Sequence, residues 1–158
     1  MDEDAILALN AAFEVETSPL DRSRLRSLLA EAFHLGLKGQ GGCEAFLIAF
    51  DQNANYDSPN FLWFQRRFDA FVYVDRVIVA KAQQGRGLAR SLYEELFTRA
   101  AAEGHERVVC EVNEQPPNPA SDAFHKALGF EIAGHAELAE RGKVVRYLVK
   151  DLNSPFDP

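Results

Sequence analysis

Val79-Ala80-Lys81-Ala82-Gln83-Gln84-Gly85-Arg86-Gly87-Leu88-Ala89 is the stretch around which the chain is organised. An apolar strand pattern, Phe71 to Val79, runs into it, and a helical pattern, Leu88 to Glu103, runs out of it. A strand that turns through glycines into a helix points several backbone N–H groups at one spot. The positive helix end reinforces them, so the turn reads as a site for pyrophosphate. Gly85 and Gly87 fit that reading because a Cβ there would block close approach of a phosphate to the backbone. Two glycines in a connector are more often structural, so the turn alone does not establish a ligand.

Working outward, Asp69 to Ala80 is the strongest strand pattern. Alternation puts Phe71, Tyr73, Asp75, Val77 and Val79 on one face and Val72, Val74, Arg76 and Ile78 on the other. Each face carries one charge among apolar neighbours, which is costly unless the charge is paired or near a site. The helix after the turn has Leu88, Leu92, Leu96 and Ala100 four apart, flanked by Ala89, Tyr93 and Phe97, and Gly104 suits its C-terminal stop. Arg107 to Asn113 follows as a strand with Val108, Cys110 and Val112 on one face. A strand–helix–strand unit over residues 70 to 112 should be parallel and right-handed. Asn113-Glu114-Gln115-Pro116-Pro117-Asn118-Pro119 then removes backbone donors, so the strand is expected to leave its neighbour there. Asn118 suits an N-cap and Pro119 a first helical position, for a helix from Pro119 to Leu128 that ends at Gly129. Phe130 to Ala133 and Lys143 to Leu152 read as closing strands around the polar turn Glu137 to Gly142.

Toward the N-terminus, Ser18-Pro19-Leu20-Asp21 reads as a helix start, with Ser18 as cap and Pro19 as first helical residue. Leu25, Leu28, Leu29 and Ala32 form the apolar face of that helix. Gly36 to Gly42 holds four glycines and no periodicity, which predicts a mobile connector. Glu44 to Phe50 and Phe61 to Phe68 read as two strands of a hairpin with the long polar loop Asp51 to Asn60. The fold class is therefore mixed α/β (α+β), a single domain over residues 1 to 158 with helices on both faces of the sheet.

The chain has 158 residues, 47% of them hydrophobic, enough for one real core. Its apolar runs fall short of the roughly 20 residues of a membrane span. Asp2, Glu3 and Asp4 stand where a signal peptide would be basic, so a cytoplasmic location is expected. Cys43 and Cys110 lie in apolar patterns and read as buried thiols. Cys/His ligand clusters are absent from the sequence, and no metal is expected. A formal net charge of -7 argues against a nucleic-acid partner and fits a cationic small substrate.

Two motifs carry a resemblance. Gln84-Gly85-Arg86-Gly87-Leu88-Ala89 fits a Q/R-x-x-G-x-G/A loop. Asn118-Pro119-Ala120-Ser121-Asp122-Ala123-Phe124-His125-Lys126-Ala127-Leu128-Gly129-Phe130 is similar to N-x-x-A-x-x-x-Y-x-x-x-G-F. In this order and spacing the chain resembles the GNAT superfamily of acetyl-CoA-dependent N-acetyltransferases, over roughly residues 70 to 133. The resemblance implies a mostly antiparallel twisted sheet with a splayed central parallel pair. It implies an acetyl-CoA-binding core over about 69–133, an acceptor-side half over about 1–68, and C-terminal strands over 134–152. Ser121 replaces the usual Ala, and His125 replaces a Tyr that often protonates the departing thiolate.

What the resemblance implies for acetyl-CoA is specific. Pantetheine would pair with the backbone of Val77, Ile78 and Val79. Gln84, Gly85, Arg86, Gly87, Leu88 and Ala89 would hold the pyrophosphate, and Asn118, Ser121 and Phe124 would line the CoA arm. A backbone N–H near Val79 would polarise the thioester carbonyl. The acceptor would be a primary amine, which must lose a proton to attack, because a free alkyl amine has a pKa near about 10. Asp75, Tyr73 and Glu111 are candidates for the base, since all lie on strands leading to the gap. His125 acts as an acid only if its pKa is raised above about 6.5, and is otherwise a hydrogen-bond donor to sulfur. The expected acceptor is a small cationic amine. A protein amino group and a non-catalytic acyl-CoA sensor are the alternatives, and a second copy of the chain is a candidate partner. The turn lacks the Gly-Lys-Ser/Thr of a P-loop and the third glycine of a Rossmann fingerprint.

Overall fold

β3 (Val72–Val79) and β4 (Arg107–Gln115) run parallel at the centre of the sheet, joined by α4 (Leu88–Ala102). The computed structural model describes residues 2–13, 17–39, 43–115, 117–138 and 142–153. The other described elements are α1 (Glu3–Ala11), α2 (Arg22–Glu31), β1 (His34–Lys38), β2 (Ala45–Asp51), α3 (Pro59–Gln65), a 3-10 turn (Lys81–Gln83), α5 (Pro119–Ala127), β5 (Glu131–Leu138) and β6 (Lys143–Asp151). The strands form one sheet in the order β1-β2-β3-β4-β6-β5, antiparallel except for β3–β4. One face buries Phe46, Phe50, Tyr73, Ile78, Val109 and Tyr147 against Ile6 of α1, Leu25 and Leu28 of α2, and Phe61 and Phe64 of α3. The other buries Leu47, Val72, Val74, Val108 and Cys110 against Leu92, Tyr93, Leu96 and Ala100 of α4. Helices thus cover both faces, as the sequence predicts.

The parallel pair is held only at Val72–Val108 and Tyr73–Val109. Beyond Tyr73 the β4-facing edge of β3 has no strand partner, while β4 stays paired with β6 as far as Gln115–Val144. The gap therefore opens well before the prolines, which the sequence reading had made its cause. A second correction concerns the faces of β3. Ile48 of β2 pairs with Arg76 and Ala49 with Val74, so Asp75 is one extra residue bulged out of the ladder. Alternation flips there. Arg76 and Ile78 lie on the same side as Tyr73, and Val77 and Val79 pack with Val72 and Val74.

The N-terminal half departs further from the sequence reading. Phe61 to Phe68 is no strand: Pro59 opens α3, whose Phe61 and Phe64, three apart, face the core. β2 consequently pairs with β3 and β1, not with a hairpin mate. Gly36 lies inside edge strand β1, where a Cβ would come 2.8 Å from Leu92 Cδ2, so the absence of a side chain lets α4 approach. Residues 40–42 of the expected connector are outside the described residues. Asp21, not Ser18, caps α2 by accepting the Arg24 N–H at 2.7 Å. α1 was not anticipated; Asp2 caps it, accepting the Ala5 N–H at 3.1 Å. β5 extends to Leu138, longer than the sequence suggests, and residues 139–141 of the expected turn lie outside the described residues. Cys110 is a buried thiol, whereas Cys43 precedes β2 and is only half-buried.

Candidate active site

Where β3 and β4 part, a cavity of about 590 Å³ opens between Tyr73, Asp75 and Val77 on one strand and Cys110, Glu111 and Asn113 on the other. It continues to Ser121 and His125 on α5, and outward to Ser18, Arg24, Tyr56 and Lys143. Three of the candidate proton-handling residues line it from facing strands, and His125 lines it from α5.

Glu111 sits at the fork. Tyr73 Oη donates to its Oε2 at 2.8 Å and Asn60 Nδ2 to its Oε1 at 3.1 Å. Tyr147 Oη in turn donates to Asn60 Oδ1 at 2.8 Å, which fixes the end of the amide that faces the carboxylate. Burial pushes Glu111 up to about 7, opposed by the Tyr73 and Asn60 hydrogen bonds and assisted by the charge of Asp75. Tyr73, fully buried beside that carboxylate, is raised well above the usual phenol value. It is a donor at neutral pH, with its hydrogen committed to Glu111.

Asp75 is differently placed. The bulge brings it beside Arg76, whose Nε donates to Asp75 Oδ2 at 2.7 Å, both side chains being almost wholly buried. Tyr56 Oη donates to its other oxygen. Arg76 also donates to Asn10 Oδ1 at 2.8 Å, Ser18 O at 3.1 Å and Ser18 Oγ at 3.0 Å. This network ties the bulge to α1 and to the segment before α2. A buried pair of this kind fixes geometry more than it adds stability.

His125 is buried on α5. Its Nδ1 lies 2.7 Å from the Ser121 carbonyl, which can only accept, so Nδ1 carries the hydrogen. In the neutral ring Nε2 is then an acceptor, facing Tyr93 Oη at 3.2 Å. Burial lowers the histidine pKa, with only partial opposition from the Ser121 contact. That direction runs against the raised pKa that an acid role requires.

The turn from Gln84 to Ala89 has the geometry of an anion cradle. Gly85 and Gly87 take φ of 83° and 76°, and a Cβ on either would meet nothing within 4 Å, so both face open space. α4 starts at Gly87 with no side-chain cap and no acidic residue in its first turn, leaving N–H donors for a ligand. Gln84 Nε2 reaches back to the Val79 carbonyl at 3.4 Å. Ile78 points its side chain into the core, while Val77 and Val79 are half-buried on the opposite face, and all three border the unpaired edge. Asn118 caps α5 by accepting the Ser121 N–H at 3.2 Å. Phe124 packs edge-on to Tyr93 at 5.7 Å between centroids. Uncapped donors beside an unpaired strand edge suit a pyrophosphate with an amide-bearing tail. Among the described residues no group of His, Cys, Asp or Glu could hold a metal ion, and no helix is long and apolar enough to cross a membrane.

The sequence reading missed Asn60, Tyr56 and Tyr93. Asn60 and Tyr56 fell in or beside a segment taken for a loop, and no local spacing joins them to Glu111 or Asp75. Tyr93 was placed on the buried helix face, but its hydroxyl contact with His125 is a tertiary one.

Residues 59–130 match the profile described as the acetyltransferase (GNAT) family. No curated protein sequence matches the chain. Among solved structures, the chain is similar to the ribosomal-protein-S18-alanine N-acetyltransferase from Escherichia coli, at 16% identity over 99% of this chain and 94% of that one, with a TM-score of 0.71. It is similar to Chaetomium thermophilum Naa20 in complex with a bisubstrate analogue, at 16% identity over 95% and 82% of the two chains, with a TM-score of 0.71. It is also similar to yncA from Salmonella typhimurium with its cofactor acetyl-CoA, at 18% identity over 98% and 90%, with a TM-score of 0.65. At these identities the likeness shows the fold.

Proposed function

We propose that this chain, whose residues 59–130 match the profile of the acetyltransferase (GNAT) family, is an N-acetyltransferase that uses acetyl-CoA, and that it acetylates a primary amine by direct attack with Glu111 as the base. Acetyl-CoA supplies the thioester that the amine attacks. Gln84 to Ala89 hold the pyrophosphate on backbone donors, and the free edge at Val77 to Val79 binds the amide-bearing arm. A backbone N–H near Val79 faces the carbonyl oxygen as charge develops there. The amine enters between Tyr56 and Glu111 and attacks the thioester carbonyl as its proton passes to the Glu111 carboxylate; the C–S bond then breaks, and CoA leaves as a thiolate that takes up a proton from Glu111 or from solvent. Alignment in the gap supplies much of the acceleration.

The observation that carries the reading is the Glu111 carboxyl, half-buried at the fork of the parallel pair between the Tyr73 and Asn60 donors, and pushed up to about 7 by desolvation. Asp75 is ion-paired with Arg76 and bonded by Tyr56, and Tyr73 keeps its proton, whereas Glu111 is held only by the neutral donors Tyr73 and Asn60, so it is the carboxylate that can take a proton in this reading. His125, neutral, orients Tyr93 and stays out of proton transfer.

For the acceptor, the acidic chain favours a small cationic amine. The cavity wall itself is balanced, with Arg24, Arg76 and Lys143 against Asp57, Asp75 and Glu111. A second reading, a protein α-amino group, is favoured by proton matching. An α-amino group has a pKa near about 8, close to Glu111, whereas an alkyl amine lies near about 10. Two of the similar structures are of a ribosomal-protein-S18-alanine N-acetyltransferase and of an enzyme in complex with a bisubstrate analogue. The test is release of CoA thiol from acetyl-CoA with a panel of diamines and of short peptides with free N-termini. Thiol release with none of them would favour a non-catalytic acyl-CoA sensor instead.

A further inference from the structure

Asn60 is an unusual core residue: a carboxamide with both ends bonded inside the protein and only 5% of its surface exposed. It stands on the first turn of α3, between Tyr147 of β6 and Glu111 of β4. Tyr73 reaches the same carboxylate from β3. The two donors occupy one oxygen each. They come from different elements, and both bonds are made at full strength only when Glu111 is ionised, because protonation turns one of the two acceptor oxygens into a donor.

We propose that Asn60 and Tyr73 are positioning residues which hold the Glu111 carboxylate ionised inside the gap and so set the pH above which the enzyme works. The proposal rests on the reading of Glu111 as base. Glu111 also faces Asp75 on β3, whose charge works against ionisation and is balanced by Arg76 beside it. Among the described residues, the neutral titratable groups around it are Tyr56 before α3, Tyr147 on β6, Tyr93 on α4 and Cys110 on β4, and the cations Arg24 and Lys143 line the same cavity. Burial raises all four, so they stay neutral near pH 7. Tyr73 and Asn60 are therefore the side chains that offset the desolvation of this carboxylate directly, alongside a hydrogen bond from its own backbone. Each bond is a charge-assisted one, and losing either removes more stabilisation from the ionised form than from the protonated one.

The experiment measures Glu111 itself and the rate together. In Tyr73→Phe and Asn60→Ala proteins, kcat/KM is followed from pH 5.5 to 9, and the Glu111 carboxyl is titrated by carbon NMR in the free protein. Each variant is expected to move both the acid limb and the NMR midpoint upward by about one pH unit. At pH 7 that is about a fivefold loss of ionised carboxylate, recovered at pH 9. A structural role alone would lower rate or melting temperature at every pH without moving either midpoint. An unmoved NMR midpoint in Tyr73→Phe overturns the proposal. That variant differs by one oxygen, so it carries the test if Asn60→Ala does not fold. The assignment of Glu111 as base fails separately, if Glu111→Gln keeps full turnover while the NMR midpoint still moves.

Discussion

His125 Nδ1 sits 2.7 Å from the carbonyl oxygen of Ser121, one turn back on the same helix. The bond fixes the tautomer and turns a bare Nε2 toward the Tyr93 hydroxyl. Burial depresses the histidine pKa. A depressed histidine stabilises the fold above its unfolded value of about 6.5, and that contribution is lost as pH falls through that range. His125→Gln is therefore expected to melt below the parent at pH 8 and to lose less of its stability on acidification to pH 5. The acid limb of its rate profile stays where Glu111 puts it. Melting curves at the two pH values and one pH–rate profile check this.

Glu111→Gln removes the proposed base and keeps the shape. Turnover should fall about a hundred- to ten-thousandfold, with little change in KM for acetyl-CoA. Stability moves the other way. Glu111 has a folded pKa of about 7 against an ordinary 4.5, so the folded state binds more protons between these values. The parent loses stability as pH rises through that window, and the glutamine does not. At pH 8 the variant should be the more stable, by up to about 3 kcal/mol in urea melts, with no difference near pH 4.

Gly87→Ala tests the cradle. No atom lies within 4 Å of the added methyl, so the cost is the positive φ of 76°, about 1 kcal/mol of stability. The methyl also stands in the space where a phosphate would approach. KM for acetyl-CoA should rise tenfold or more while KM for the amine stays within about twofold, read from initial rates.

Gly134→Ala tests the sheet's far edge. Its Cβ would come within 2.6 Å of Trp63 Cζ2, so the indole must move. Trp63 stacks on Tyr147 at 4.2 Å and lies under Arg67 at 3.7 Å. It is the single tryptophan of the chain, so its emission reports the displacement cleanly. A shift to longer wavelength and a loss of about 1–3 kcal/mol are expected.

How much of this was legible depended on how local each cause is. Residues 70 to 133 were readable because their signals are short-range: glycines at the turn, Asn118 and Pro119 opening α5, Gly104 and Gly129 after α4 and α5. α3 was not, because Phe61, Trp63, Phe64 and Phe68 favour strands by type. Packing of Phe61 and Phe64 on the sheet decides for helix. The bulge at Asp75 was hidden for a related reason, since an extra residue shows only when a strand is counted against its neighbour. At the site, Tyr73, Asp75 and Glu111 were legible as residues on facing strands. Their division of labour was not, because it turns on Asn60, Tyr56 and Arg76, which are brought in by distant segments.

The open start of α4 has one further effect. Its first turn has no side-chain cap, so a diphosphate bound as proposed would complete the helix from outside. Folding and saturation are thereby linked. At a hundredfold excess over Kd, occupancy raises resistance to unfolding by about 2.7 kcal/mol. A cell running low on the activated acyl carrier would hold this catalyst in a softer form, more readily cleared by proteases than the saturated one.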